Sequence, residues 1–241
     1  RVGRFNADGS ANDLPGHNVP MTIAGLMIII IGFFGFLGAC LIYPAPMAGS
    51  TADAGWLTIY GGPATLSSFA FNTLMGFAGG IIGAYFITKD PFWMMSGALA
   101  GIFCAAAGLD LWYPGTAFAL GFLGGVVIPY AHKMITSWGI DDAVGAVSVH
   151  GVCGLIGVLA VGVLLGGYPP LTEGGETISF TGQLVGAIAM GLGGFIPGYV
   201  VSWILNKCGI LRTSDAVQQI GVDAEIPVAA YPENMQSRDY S

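Results

Sequence analysis

The chain has 241 residues, of which 54% are hydrophobic and only 9% charged, and it carries 40 glycines. Charged residues make up about a quarter of an ordinary soluble domain, so this composition excludes a soluble globular protein. The formal net charge of -7 arises in loops and tail, and no basic cluster marks a nucleic-acid partner.

Residues 1–20 are polar, with turn formers at Asp8-Gly9 and Pro15-Gly16, and read as an aqueous loop. Six apolar runs follow, at about 21–43, 64–88, 92–109, 115–136, 143–165 and 180–206. Each is long enough to cross a hydrocarbon layer as a helix. The fold class expected is therefore an all-α polytopic membrane protein with a transmembrane domain over 21–206. In the first span, Gly32-Phe33-Phe34-Gly35-Phe36 mixes small and aromatic residues, as suits a helix packed closely against others. Asn72 in the second span is expected to bridge helices by hydrogen bonding. Lys89-Asp90-Pro91 predicts a tight turn, and Asp110-Leu111-Trp112-Tyr113-Pro114 an interfacial loop carrying belt aromatics. From residue 207 to 241 the chain turns polar and predicts a short helix at best, then an extended tail.

An even number of spans puts both ends on one side. By this count Arg1, Arg4, Lys89, Lys133, Lys207, Arg212 and Arg238, all the basic residues, fall on the side of the termini. The opposite loops, about 44–63, 110–114 and 166–179, carry acids such as Asp53, Asp110, Glu173 and Glu176 and no basic residue. The positive-inside rule then makes 1–20 a cytoplasmic loop and 207–241 a cytoplasmic tail of a multi-pass cell-membrane protein.

The fifth span opens with Asp141-Asp142 and contains His150. At 1.5 Å rise per residue, the imidazole lies roughly 12 Å beyond Asp142, near the middle of a hydrocarbon layer about 30 Å thick. Every other Asp, Glu, Lys, Arg and His falls at or outside the span ends by this count. An intramembrane ionisable group is costly and faces a watery path or the protein interior, so His150 is the leading functional residue, against the alternative of a helix-packing hydrogen bond. Asp141 and Asp142 suit a helix cap, where carboxylates meet free amide hydrogens. Gly151, Gly154 and Gly157 recur every three residues and let another helix, or a narrow pore, border the imidazole. Cys40, Cys104, Cys153 and Cys208 form no CxxC pair and read as small apolar packers. No metal site, cofactor or nucleophile–base pair is indicated, so an enzyme is not expected.

With these residues in order, the chain resembles the ammonium transporter (Amt/Mep/Rh) family over nearly its whole length. The resemblance is carried by Arg1-Val2-Gly3-Arg4-Phe5, Pro15-Gly16-His17-Asn18-Val19-Pro20, Gly32-Phe33-Phe34-Gly35-Phe36, Phe71-Asn72-Thr73, Asp141-Asp142 and Val149-His150-Gly151-Val152-Cys153-Gly154. Gly221-Val222-Asp223 and Ala230-Tyr231-Pro232 in the tail add to it. It implies the second half of an eleven-span fold, spans six to eleven plus the cytoplasmic tail, and a chain beginning at Arg1 without Met is expected to be a fragment of something longer. It further implies a channel for ammonium/ammonia: His150 matches one of two pore histidines, Phe36 one of two stacked phenylalanines at the outer end, and Ala146 joins them on the pore wall. An outer ammonium site would comprise Phe36 and Cys40. Leu37 and Cys40 depart from the family's common Asn and Ser, and a thiol is a weaker acceptor than a hydroxyl. A homotrimer in the lipid bilayer and a cytoplasmic PII-type regulator at the tail are also implied.

The chemistry expected is recruitment of the cation by cation–π attraction, loss of its proton, and passage of ammonia along an apolar tube beside a neutral imidazole. Potassium has no proton to lose. The competing expectation is an ammonium-sensing membrane receptor with little transport.

Overall fold

The computed structural model describes residues 2–14, 16, 18–40, 64–168 and 177–220. Six described helices are long and apolar enough to cross a membrane: Val19–Gly38, Leu66–Thr88, Pro91–Gly108, Pro114–Ser137, Val147–Leu164 and Phe180–Lys207. The chain is a multi-pass, all-helical membrane protein, with no strand among the described residues. We label the α-helical parts α1 (Val19–Gly38), α2 (Leu66–Thr88), α3 (Pro91–Ala105), α4 (Pro114–Ser137), α5 (Gly154–Leu164), α6 (Phe180–Lys207) and α7 (Asp215–Ile220). A 3₁₀ turn, Ala106–Gly108, extends α3, and a π-helical segment, Val147–Cys153, precedes α5. Expectations for Arg1, Pro15, His17, the end of the first span, Asp53, Glu173, Glu176 and the tail beyond 220 lie outside the described residues.

The helix starts follow from local chemistry. Asn18 accepts from the Met21 amide at 2.9 Å, and Pro20 sits in the first turn of α1. Thr65 and Ser68 form a reciprocal capping box on α2. The short turn between α2 and α3 places Lys89 in the left-handed region (φ 53°), after which Asp90 accepts from the Trp93 amide and Pro91 opens α3.

The structure falls into two units. In the first, residues 15–189, helices α2, α3 and α4 pack against one another. Their contact is backbone on backbone: a Cβ added at Gly80 would overlap the Gly97 carbonyl and one at Gly125 the Gly80 carbonyl. Around this crossing the core gathers Phe77, Leu99, Ile102, Leu120, Ile128 and Val149. α5 reaches α3 at Gly157, where a Cβ would stand 2.5 Å from the Phe103 carbonyl oxygen.

Asn72, buried in α2, donates from Nδ2 to the carbonyls of Leu109 and Trp112 at 2.8 and 2.9 Å, tying α2 to the loop after α3. Trp112, expected in an interfacial belt, is instead fully buried, its Nε1 donating to the Ala105 carbonyl at 2.8 Å. The indole lies against Gly108, where a Cβ would meet its ring at 2.5 Å, so the missing side chain makes its room. Tyr113 beside it is exposed.

The second unit comprises residues 1–14 and 190–241. Its N-terminal loop closes on a Phe5–Ala11 bridge and hydrogen bonds among Asn6, Ser10 and Asn12. The Ser10 hydroxyl, then its amide, hold the Asp8 carboxyl below the usual carboxylate range. The rest of its described part is residues 190–207 of α6, followed by α7.

Candidate functional site

His150 lies in the π-helical segment Val147–Cys153, which widens the turn that carries it. The wider turn splits the segment into two faces: Ser148, Val149 and Cys153 are buried, whereas Ala146, Val147, His150 and Gly151 are exposed. The sequence sets this division through a turn and a carboxylate. Gly145 takes φ +74°, a conformation that side-chain-bearing residues rarely adopt, and breaks the chain ahead of the segment. The helix expected from residue 143 consequently starts three residues later, with 143–145 in a turn.

Asp142, 4% exposed, reaches across that turn. Its Oδ1 accepts from the Val147 amide at 3.0 Å, and its Oδ2 from the Ser148 amide at 3.0 Å and hydroxyl at 2.7 Å. The carboxylate thus satisfies amides that the start of a helix leaves free, from five residues upstream of Val147 rather than from the adjoining position. Asp141 is half-buried next to it.

The imidazole of His150 rests on Phe103 of α3, with ring centroids 4.2 Å apart. Phe103 meets Phe33 of α1 edge-on at 5.5 Å, and Phe33 meets Phe36 edge-on at 5.7 Å. A row of rings therefore links His150 to Phe36 across the π-helical segment, α3 and α1. Phe36 is 64% exposed and Leu37, one residue on, is buried in the core. Leu37 therefore packs into the core while Phe36 does not. Cys40, just past the helix end, is exposed, and its thiol donates to the Phe36 carbonyl at 3.6 Å.

Two contributors escaped the sequence reading. Phe103 looks like any aromatic in an apolar span and gives no signal before α3 and α5 are brought together. His132 does give one: it lies within α4, not at a span end, with its Nδ1 3.9 Å from Asp142 Oδ2 and its ring 4.8 Å from that of Trp93. Cys104 and Cys153 behave as packers, the Cys104 thiol donating to the Cys153 carbonyl at 3.3 Å. Among the described residues, no group of three or more His, Cys, Asp or Glu could hold a metal ion.

Comparison with known proteins identifies the kind of molecule that carries this arrangement. The model of the Ammonium Transporter Family matches residues 1–230. The chain belongs to the ammonium transporter family. It is 31% identical, over 94% of its length, to the ammonium transporter Amt1 of Methanocaldococcus jannaschii, covering 54% of that protein. The same identity relates it to Amt2 of that organism, over 97% of this chain and 51% of the relative. Amt2 of Archaeoglobus fulgidus is 31% identical over 96% of this chain and 50% of its own length. The chain thus spans about half the length of the curated relatives it matches. Within this family member, the face on which His150 and Phe36 are exposed, with half-buried Phe103 and Phe33 between them, is the candidate site.

Proposed function

We propose that this chain supplies one wall of an ammonium/ammonia conduction path, with His150 on the wall and Phe36 toward its outer end. The observation that carries the reading is the exposure of His150 on a face otherwise apolar, backed by Phe103 and continued by Phe33 and Phe36. A polar ring set against an apolar one can offer a hydrogen bond to ammonia while the surrounding surface refuses a hydrated cation. Ammonium is held first by the ring face of Phe36 and by the Phe36 and Cys40 groups at the end of α1. At that outer end it yields its proton to water, and ammonia continues past His150; an alkali cation has no such route. Ala146 borders the same face.

The distribution of basic residues supports cytoplasmic termini. Family membership supports assembly as a homotrimer and control by a PII-type protein.

The test is uptake of ammonium by the complete protein in membrane vesicles. His150→Ala is expected to abolish uptake or alter its selectivity. Normal flux with unchanged selectivity would sink the reading, and ammonium binding without flux in the unsubstituted protein would favour a sensor instead.

A further inference from the structure

Asp142 joins the site to a residue that the transport reading leaves unused. Its carboxylate is buried, and Oδ2 takes both donors of Ser148, two residues before His150. At 3.9 Å from Oδ2, beyond hydrogen-bond length but within electrostatic reach, stands Nδ1 of His132, from α4. The His132 ring is fixed in turn by Trp93 of α3 at 4.8 Å, and Trp93 is also the near neighbour of Gly145, the residue that turns the chain into the π-helical segment. Lys133, next in sequence, is exposed.

A buried carboxylate is tolerated where hydrogen bonds and opposite charge compensate it. Val147 and Ser148 supply the hydrogen bonds from the segment that Asp142 caps. His132 supplies the only contact among these that comes from a different helix, and so references the segment to α4. Without it, Asp142 still caps its own segment, but that segment is no longer tied to α4 through the carboxylate. Displacements of about 1 Å at a functional group are enough to lower rates by orders of magnitude.

We propose that His132 is a positioning residue for transport, holding Asp142 so that the π-helical segment presents His150 to the passage. The inference rests on the transport reading above. His132→Phe keeps a ring against Trp93 and removes the nitrogen facing Asp142; His132→Asn returns an amide nitrogen near the place of Nδ1.

In vesicles containing the complete protein, His132→Phe is expected to lower maximal ammonium flux about tenfold at unchanged half-saturating concentration, with His132→Asn restoring it to within about threefold. In an Asp142→Asn background, His132→Phe is expected to have little further effect. Unchanged flux in His132→Phe, equal losses in both variants, or a full tenfold loss in the Asp142→Asn background would each overturn the proposal. If His132→Phe does not accumulate in the membrane, His132→Asn decides: near-parental flux supports the proposal and a tenfold loss at normal membrane levels overturns it. Failure of both to accumulate also overturns it, because residue 132 would then serve folding alone. His150→Ala, measured in parallel, separates the two readings. If it leaves flux normal, the transport reading fails; if it abolishes flux while His132→Phe does not lower it, only the present inference fails.

Discussion

The Asp142 carboxylate takes three donors from residues 147 and 148 and is itself buried, so its removal leaves the half-buried Val147 amide and the buried Ser148 amide and hydroxyl without their acceptor. Breaking such an arrangement costs roughly 3–5 kcal/mol. Asp142→Ala is therefore expected to lower the thermal unfolding temperature of the detergent-solubilised protein, with Asp142→Asn falling between it and the parent, since one carbonyl oxygen still accepts. Equal unfolding temperatures for all three would remove the cap from the account. Asn72 makes a second case: Asn72→Ala strips the donors from the Leu109 and Trp112 carbonyls, at a cost of about 2 kcal/mol, read by the same melt. At this scale the sequence was legible where chemistry is scarce. A histidine or an amide inside an apolar run announces itself because its burial demands a reason, as His150 and Asn72 do, and Asp142 is legible as a cap ahead of such a run. Phe103 was not, since one phenylalanine among 14 carries no mark of what it faces. Trp112 was misplaced because an indole near a span end looks the same whether it meets headgroups or fills the gap beside Gly108.

Helices here meet through glycine, and the site depends on one such meeting. Gly157 brings α5 onto α3 so closely that a Cβ would stand 2.5 Å from the Phe103 carbonyl and 2.8 Å from that of Cys104. These are backbone atoms and cannot swing aside, so a side chain there must push the helices apart. The residue displaced on α3 is the one whose ring supports His150. Gly157→Val should consequently lower both the unfolding temperature and ammonium flux, by about 2 kcal/mol or more of overpacking in the first measurement. Gly154, three residues earlier, has no atom within 4 Å of its Cβ position, and Gly154→Ala is expected to leave the unfolding temperature nearly unchanged. A greater loss at 154 than at 157 would contradict this packing. The helices themselves were readable from apolar run length, as α2, Leu66–Thr88, follows the run expected at 64–88. Their faces were not, because a stripe of glycines is compatible with a neighbouring helix or an open lumen. The π-helical turn had no sequence signature either: it arises from Gly145, Asp142 and the buried Ser148 acting together in space.

The whole molecule is set by the membrane that surrounds it. Crossing a bilayer an even number of times returns a chain to its starting side, and six described helices can cross. Counting spans, Lys89 follows the second, Lys133 lies in the C-terminal part of the fourth and Lys207 ends the sixth, whereas Asp110 follows the third. Positive residues are retained on the cytoplasmic side during insertion, so the orientation we propose puts the first three in the cytoplasm and Asp110 at the exterior. The assignment can be checked without any transport measurement. With exposed Cys40 and Cys208 replaced by serine, Lys133→Cys is expected to react with a membrane-impermeant maleimide only in inside-out vesicles, and Asp110→Cys only in right-side-out ones. The reverse pattern would invert the molecule and place Phe36, with the aromatic row leading to His150, at the cytoplasmic mouth. Labelling of both positions from one side would mean that the α4 helix between them does not cross, and the conduction reading would lose the bilayer-spanning wall on which it depends.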